Sequence, residues 1–381
     1  MLKMTDSFEI LQNWVLNSGL VIVDKNSKNL GGVCSFFDEK KNAYGFIYPE
    51  ITGYFLSSLR FLNSLNPNSD YQQLANNSSK WLMQIEKEHG GIIQGIGSDI
   101  SKQKLVYSFD TGICAKGFLD SFELTQNSEY KEYARKLLDW LIDEAIENDG
   151  TIKPLKDLSS NTFQTSKDVW YKQKGCLHIK LAMPFLHLYK LTNEKNLLET
   201  ADLICSNYKK LQNADGSFSL HFGSNVIHLH TMCYALEGLI YAYSVTKNIE
   251  YLESVERGLE WCSKNIDHSD GSIPLWFNAK YQSAKTSYHI AQIIRIMILV
   301  DSLHKSQKFE KDIKLLNSFL ISLQASSKNN VVEGGFYEEY FKSFLGWKKR
   351  LRLNSWGSMF ALQALKWDIS TPFEQEIEFL Y

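Results

Sequence analysis

Apolar positions along this chain recur with helical spacing. Tyr130, Tyr133, Ala134, Leu137, Leu138 and Leu141 fall close to i, i+3, i+4 and i+7, so they share one face of a helix. Segments of this kind predict twelve helices: residues 6–19, 50–65, 69–88, 110–126, 129–147, 174–192, 195–212, 229–247, 249–265, 286–304, 308–325 and 355–367. Polar punctuation separates them. Six similar turns contain Gly31-Gly32, Gly90-Gly91, Asp149-Gly150, Asp215-Gly216, Asp270-Gly271 and Gly334-Gly335. The second residue of each pair is a glycine, and these glycines are spaced by 59, 59, 66, 55 and 64 residues. Near-even spacing of like turns marks an internal repeat. Glycine there supplies the positive φ that ends a helix. Short β-like runs follow, as in Ser217–Leu220 and Ser272–Leu275. Trp81, Trp140 and Trp261 each lie ten residues before the second glycine position of their own turn, which fixes a shared phase.

Twelve helices in six antiparallel pairs fit an all-α fold, an (α/α)6 toroid or six-hairpin barrel, with residues 1–381 as one domain. Odd-numbered helices are expected on the outside and even-numbered ones on the inside. A linear solenoid is the rival. Closure is favoured because six pairs complete a ring and no polar capping repeat is evident.

Composition changes this picture little. With 44% hydrophobic and 22% charged residues the chain can bury a large core without a metal or disulfide staple. Six scattered cysteines read as reduced buried thiols. The net charge of -2, from 41 basic and 43 acidic residues, gives no global attraction to nucleic acid or an anionic membrane. The N-terminal stretch MLKMTDSFEILQNW is amphipathic and lacks the apolar run of a secretory signal, and no run is long enough for a membrane span. A cytoplasmic protein of open oligomeric state is expected. No phosphate-cradling glycine loop occurs, because Gly95-Ile96-Gly97 lacks a strand-to-helix context, so no cofactor is expected.

Candidate chemistry gathers where the even helices begin. In the expected fold these N-termini surround one funnel, with unpaired N–H groups and positive dipole ends facing it. The starts are rich in titratable and aromatic residues: Tyr48, Glu50 and Tyr54; Asp110; His178; His228 and His230; Tyr288 and His289; Asn354 and Trp356. Taken singly, most have a plainer role. Glu50 after Pro49 complements the helix dipole, Asp110 and Asn354 suit helix caps, and a histidine in a helix is usually a satisfied core residue. Their joint placement raises the functional reading. His228 and His230, two apart, cannot share a helical face, so one is expected to point inward and the other to support it.

The segments Gly45–Tyr54, Ser108–Gly112, His228–Leu239 and Leu353–Trp356, with their Tyr-Pro-Glu-Ile-Thr-Gly-Tyr, Phe-Asp-Thr-Gly, His-Leu-His-Thr-Met-Cys-Tyr and Asn-Ser-Trp cores, resemble a family of (α/α)6-toroid proteins. These occur in bacterial and archaeal polysaccharide gene clusters, and the resemblance runs in order along nearly the whole chain. More distantly the chain is similar to six-hairpin glycosidases, N-acylglucosamine 2-epimerases, uronate lyases and D-glucuronyl C5-epimerases. The resemblance implies a carbohydrate-active enzyme of polysaccharide biosynthesis. No complete catalytic motif of those groups is matched, so it assigns no residue roles.

Four readings follow. The leading one is a uronate-type lyase or epimerase acting on an oligo- or polysaccharide. Tyr288 and the histidines His178, His230 and His289 would serve as acid and base, and Arg350 and Arg352 in the run Trp347–Arg352 would hold an acidic sugar. The second is glycoside hydrolysis by Glu50 and Asp110, with Asp38, Glu39, Glu338 and Glu339 as spare acids. In either case Tyr48, Tyr54, Trp170, His228, Trp276, Asn354 and Trp356 would line the substrate. The third, a terpenoid cyclase or prenyltransferase, is weakened by the absence of Asp-x-Asp-Asp and Asp-Asp-x-x-Asp. The fourth is a non-catalytic glycan-binding protein. A zinc site from Cys176, His178, His230 and Cys233 is imaginable but lacks a familiar ligand spacing, so no metal is expected.

Overall fold

The computed structural model describes residues 4–97, 104–166, 169–280 and 283–381. The first three residues of the amphipathic N-terminal stretch lie outside that range. The helices are α1 (Met4–Asn17), α2 (Pro49–Leu65), α3 (Ser69–His89), α4 (Ser108–Thr125), α5 (Ser128–Trp140), α6 (Ala182–Thr192), α7 (Lys195–Lys209), α8 (Leu229–Thr246), α9 (Ile249–Lys264), α10 (Ser287–His304), α11 (Glu310–Ser322), α12 (Ser355–Lys366) and α13 (Phe373–Ile377). The strands are short: β1 (Phe36–Asp38), β2 (Ala43–Tyr44), β3 (Leu105–Tyr107), β4 (Leu155–Asp157), β5 (Thr162–Gln164), β6 (Ile227–His228), β7 (Trp276–Phe277), β8 (Ala284–Thr286), β9 (Glu339–Ser343), β10 (Gly346–Lys349) and β11 (Arg352–Asn354). The twelve expected helices are all present. Two begin or end differently: a π-helical turn, Leu141–Ala145, finishes α5, and a 3-10 segment, Cys176–Leu181, leads into α6. The short α13 carries no sustained periodicity and was not expected. No helix among the described residues is long and apolar enough to cross a membrane.

The chain divides into two compact units. One comprises Val21–Ser35, Phe46–Lys210 and Tyr381, and the other Met1–Leu20, Phe36–Gly45 and Leu211–Leu380. In the first, α2, α4 and α6 pack side by side and α3, α5 and α7 pack against them. In the second, α8, α10 and α12 form the matching row, backed by α9, α11 and α1. Even helices are buried nearly all round, as α10 is from Ser287 to Ser302. Odd helices bury one stripe, as in α5, where Tyr130, Ala134, Leu137 and Leu138 are buried and the opposite face is wet. The expected division into inner and outer helices is thus present in burial.

The turns explain the phase. The residue with positive φ is the first glycine of each Gly-Gly turn (Gly31, Gly90, Gly334) and the second residue of each Asp-Gly turn (Gly150, Gly216, Gly271). The true register of the Gly-Gly turns is therefore one residue earlier than a simple alignment of second glycines. At most of these positions the backbone of a following odd helix comes close. A Cβ on Gly271 would lie 2.2 Å from the Leu315 carbonyl oxygen in α11. The last turn behaves alike: a Cβ on Gly334 would lie 2.6 Å from the Ile10 carbonyl oxygen, so α1 serves as the odd helix of the last repeat. The indole Nε1 of Trp14 donates to the Val331 carbonyl at 2.8 Å, and Gln324 donates to the Ser7 carbonyl at 2.9 Å. A linear solenoid with a free first helix would lack these contacts.

The β-like runs expected after the turns are only single bridges, Gln212 with Phe218 and Asp267 with Ser272. The strands lie instead directly before the even helices. β3 enters α4 and pairs with β4, β6 enters α8 and pairs with β7, β8 enters α10 and pairs with β9, and β11 enters α12 and pairs with β1. Four of the six polar helix starts, those of α4, α8, α10 and α12, are therefore fixed by a backbone ladder. Gly271→Ala is expected to lower unfolding free energy by roughly 2 kcal/mol or more, from positive φ plus the backbone clash. Gly223 also has positive φ (78°) but nothing within 4 Å of its Cβ position. Gly223→Ala should cost about 1 kcal/mol, and the difference in chemical denaturation between the two variants measures the close contact.

Candidate active site

In the first unit the chain places two carboxyl groups at neighbouring helix starts. Pro49 opens α2, with its fixed φ and missing N–H suited to the first helical position, and Glu50 follows it. Asp110 lies in the first turn of α4, positioned by β3. Glu50 is 8% exposed and Asp110 4%. The hydroxyl of Tyr48, the residue preceding α2, is near both and favours the ionised form of each. Burial raises both groups, Glu50 to about 7 and Asp110 well above the usual carboxylate range, where the charge of Glu50 pushes it further. Tyr48 and the ammonium of Lys180 oppose the shift of Glu50. Asp110 Oδ2 is buried without a hydrogen-bond partner. The pair therefore shares its protons and titrates as a unit.

Aromatic side chains stand beside this pair. Tyr107, at the end of β3, has a buried hydroxyl without a partner, and its ring lies 5.9 Å from half-buried Tyr171. Trp170 meets Tyr171 edge-on at 5.3 Å. Tyr54 is different. It is 1% exposed, packed 6.2 Å from Tyr381 and under the ammonium of Lys180 at 5.2 Å, so it belongs to the core rather than to a substrate surface. His178 is also fully buried, 6.5 Å from Phe109 and 5.7 Å from Tyr208, with Nε2 on the Gln173 carbonyl; burial lowers it to about 4. Lys180 was not singled out from the sequence, although it sits two residues beyond His178 in the same polar start.

The second unit holds another polar cluster. His228 precedes α8 and stacks on Trp276 at 4.1 Å, and these two residues are register partners in β6 and β7. His230, in the first turn of α8, bonds Gln292 through Nδ1 at 2.6 Å and lies 4.5 Å from Tyr288 and 4.3 Å from Tyr234. Gln292 donates to Glu237, which forms a fully buried ion pair with Arg295. The two histidines do diverge as their spacing requires, their rings at right angles. Burial holds His228 neutral, well below its ordinary value, assisted by His230 and His289. His289 is closed off: Nδ1 meets Thr286, Nε2 meets the Ile273 carbonyl, and burial lowers it to about 3. Burial and the nearby Glu338 and Glu339 raise Tyr288 far above its ordinary range. Trp356 lies 5.8 Å from Tyr288. Asn354 is a helix cap, its Oδ1 accepting from the Gly357 N–H at 2.7 Å.

The two arginines of the basic run are neutralised within their own unit. Arg350 pairs with Glu339 at 2.7 Å and Arg352 with Glu338 at 3.5 Å. The acids counted as spares are thus the counter-ions of the residues expected to hold an acidic sugar. Glu338, buried and beside Glu339, is raised to about 7 in spite of the arginines. Cys176, His178, His230 and Cys233 do not form a metal-binding group. Among the described residues the one set of donor atoms close enough for a metal is Asp120, Glu123 and His187. Lys116 engages both oxygens of Asp120 at 2.7 Å, Ser57 adds a third bond, and Arg60 bridges Asp120 and Glu123. That network is saturated by protein cations.

No protein-family model matches the sequence, and no match is found among curated proteins. Solved structures do match. Cellobiose 2-epimerase from Bacillus thermoamylovorans B4167 superposes with a TM-score of 0.76 at 15% identity, covering 95% of this chain and 98% of that one. A D-mannose isomerase gives 0.76 at 11% identity, with 95% and 96% covered. The unsaturated glucuronyl hydrolase of Bacillus sp. GL1, described as responsible for glycosaminoglycan degradation, gives 0.70 at 11% identity, again with 95% and 96% covered. At such identities the likeness establishes the fold: the chain is all-α, of the (α/α)6 six-hairpin class expected from its repeat. The resemblance to epimerases and uronate-acting proteins holds at that level.

The carboxyl pair yields a pH prediction. A group whose folded pKa is raised binds more protons folded than unfolded between the two values. For Glu50 that window runs from 4.5 to about 7, so its contribution to stability falls as pH rises through it. Glu50→Gln carries no charge to bury. Its unfolding free energy should gain on the parent across this window, by on the order of 3 kcal/mol at pH 8. Paired denaturation curves at pH 4.5 and pH 8 check this. An unchanged difference between the two pH values would mean that Glu50 is solvated.

Proposed function

We propose that the protein is a carbohydrate-active enzyme that hydrolyses a glycosidic bond with Asp110 and Glu50. The observation that carries this reading is the pairing of two buried carboxyl groups in the first turns of adjacent helices, the charge of one opposing that of the other and both held above their ordinary pKa. Glycoside hydrolysis needs one carboxylic acid to protonate the leaving oxygen and one carboxylate to attack or to activate water. Lys180 favours ionised Glu50 alone, and the charge of Glu50 keeps the proton on Asp110. Asp110 is therefore the acid and Glu50 the nucleophile or base. The spacing of the two carboxyls sets the stereochemical outcome: about 5–5.5 Å serves a retaining enzyme and about 6.5–9.5 Å an inverting one. Tyr171, Trp170 and Tyr48 supply aromatic faces for sugar rings beside the pair. The names of the structural relatives (an epimerase, an isomerase and a glycan hydrolase) support a sugar substrate.

The lyase or epimerase reading loses support on the same grounds. His178 and His289 are committed to backbone carbonyls, and the arginines are paired with glutamates. It keeps one observation in its favour: His230 lies between Tyr234 and Tyr288 with its Nδ1 held by Gln292.

Oligosaccharides with neutral and uronate residues, incubated in deuterated water, separate these readings. New reducing ends without ultraviolet absorbance are expected. An unsaturated product would show a lyase, and deuterium uptake without cleavage an epimerase. Glu50→Gln should lower kcat by about 10²–10⁴-fold on every substrate. Asp110→Asn should do the same on natural linkages but retain much more activity on an aryl glycoside whose leaving group needs no proton. Equal losses on both substrate types would overturn the assignment of Asp110 as the acid.

A further inference from the structure

The β9–β10 hairpin ends in a tip that the fold does not require. Phe344 and Leu345 link the two strands and are 103% and 78% exposed, and Trp347 beside them is 42% exposed. Hairpin loops usually carry Gly, Asn, Asp or Ser, because those residues satisfy turn geometry. Here Gly346, with φ 100°, supplies the one positive-φ position. Phe344 and Leu345 take ordinary backbone angles, so turn chemistry gives no reason for them to be large and apolar. Scattered exposed apolar residues are common, but three adjacent ones at a protruding tip form a patch that marks a contact.

Charge says what kind. Between Tyr340 and Arg352 the sequence holds Lys342, Lys348, Lys349 and Arg350 and no acidic residue. Lys342 and Lys348 are exposed, and Lys342 stands opposite Trp347 in the ladder. Lys349 reaches back to the Ser322 carbonyl and Arg350 to Glu339, so these two anchor the base of the hairpin. On its other side Trp347 is braced by Lys285, whose ammonium lies 4.7 Å from the ring. The result is an apolar point flanked by two exposed lysines, Lys342 and Lys348, on a strand pair tied to the body through β8. Its apolar area, a few aromatic and aliphatic side chains of roughly 150–250 Å² each at most, falls short of the ~800 Å² per partner of a stable protein interface. An interfacial anchor needs less: a few Trp, Phe or Leu side chains at the headgroup boundary, reinforced by lysines facing anionic lipid.

We propose that the Phe344-Leu345-Trp347 tip docks the protein peripherally on an anionic lipid surface. The inference rests on the hairpin alone and stands whether or not Glu50 and Asp110 are catalytic. The test uses the full chain in sedimentation with phosphatidylcholine vesicles, with and without phosphatidylglycerol. Binding is expected only with phosphatidylglycerol and should weaken as salt rises. The double variant F344S/L345S should bind at least about tenfold more weakly, and K342E/K348E should lose the preference for phosphatidylglycerol. Both changes are on exposed side chains, so circular dichroism and thermal midpoints should match the parent. Failure to bind phosphatidylglycerol vesicles, or binding untouched by F344S/L345S, overturns the proposal. So does a doubled mass in light scattering that F344S/L345S abolishes without any vesicle binding, which would assign the tip to a second copy of the chain.

Discussion

The structure depends on the close approach between the turn glycines and the backbone of the next odd helix. Where a Cβ would sit 2.2 Å from the Leu315 carbonyl oxygen, or 2.3 Å from that of Arg257, no side chain fits. At five of the six turns the contact brings the end of one repeat directly onto another helix. Tryptophans reinforce it: Trp14 packs on Gly335 and Trp81 on Gly32. Because α1 receives the sixth turn as other odd helices receive theirs, the first helix of the chain is held by the last repeat. Short strand ladders then hold the first residues of α4, α8, α10 and α12.

Burial then decides what a charged residue on an even helix does. Asp110 and Asp120 lie on the same helix, and both are buried. Asp120 has Lys116, Arg60 and His187 around it, and its pKa is lowered despite desolvation. Asp110 has Glu50 beside it and no cation of its own, and its pKa is raised. One end of α4 is thus a compensated ionic network and the other a carboxyl pair that the one ammonium of Lys180 offsets only in part. Glu237 and Arg295 form the corresponding compensated pair in the other unit. Buried carboxyls left without a counter-ion are costly, and such sites are where acid–base chemistry is concentrated.

Much of this was legible in the sequence because it is local. Helix periodicity, the glycine turns and the polar starts are written within windows of a dozen residues. The one-residue shift in the Gly-Gly turns was not, since either glycine could take the positive φ until the next helix was seen to press on one of them. The strands before the even helices were missed because two or three residues show no alternation, and their pairing is set by partners such as Arg352 for Asp38. The site residues divide on the same principle. Glu50 and Asp110 are recognisable from their own helix starts. Lys180 acquires its significance from a helix far along the chain, and Tyr54 and the two closed-off histidines lose theirs to surroundings that no local pattern reveals. Arg350 and Arg352 read as free cations until β9 brought Glu339 and Glu338 against them.

The choice among sugar chemistries turns on which groups can exchange a proton near neutral pH. A histidine pushed to about 3 or 4 is never the acid there, and a tyrosine raised as far as Tyr288 is a poor base. A carboxyl near 7 can act in either direction, and a second one beside it ensures that at neutral pH one member carries the proton and the other does not. That division of labour is what cleavage of a glycosidic bond demands. An epimerase would need a proton delivered to carbon from one face and removed from another. For that role the second unit offers His230 and its neighbours, held by Gln292 and flanked by Tyr234 and Tyr288. The proposal of hydrolysis therefore rests on the proton division within the carboxyl pair, not on the fold that carries it.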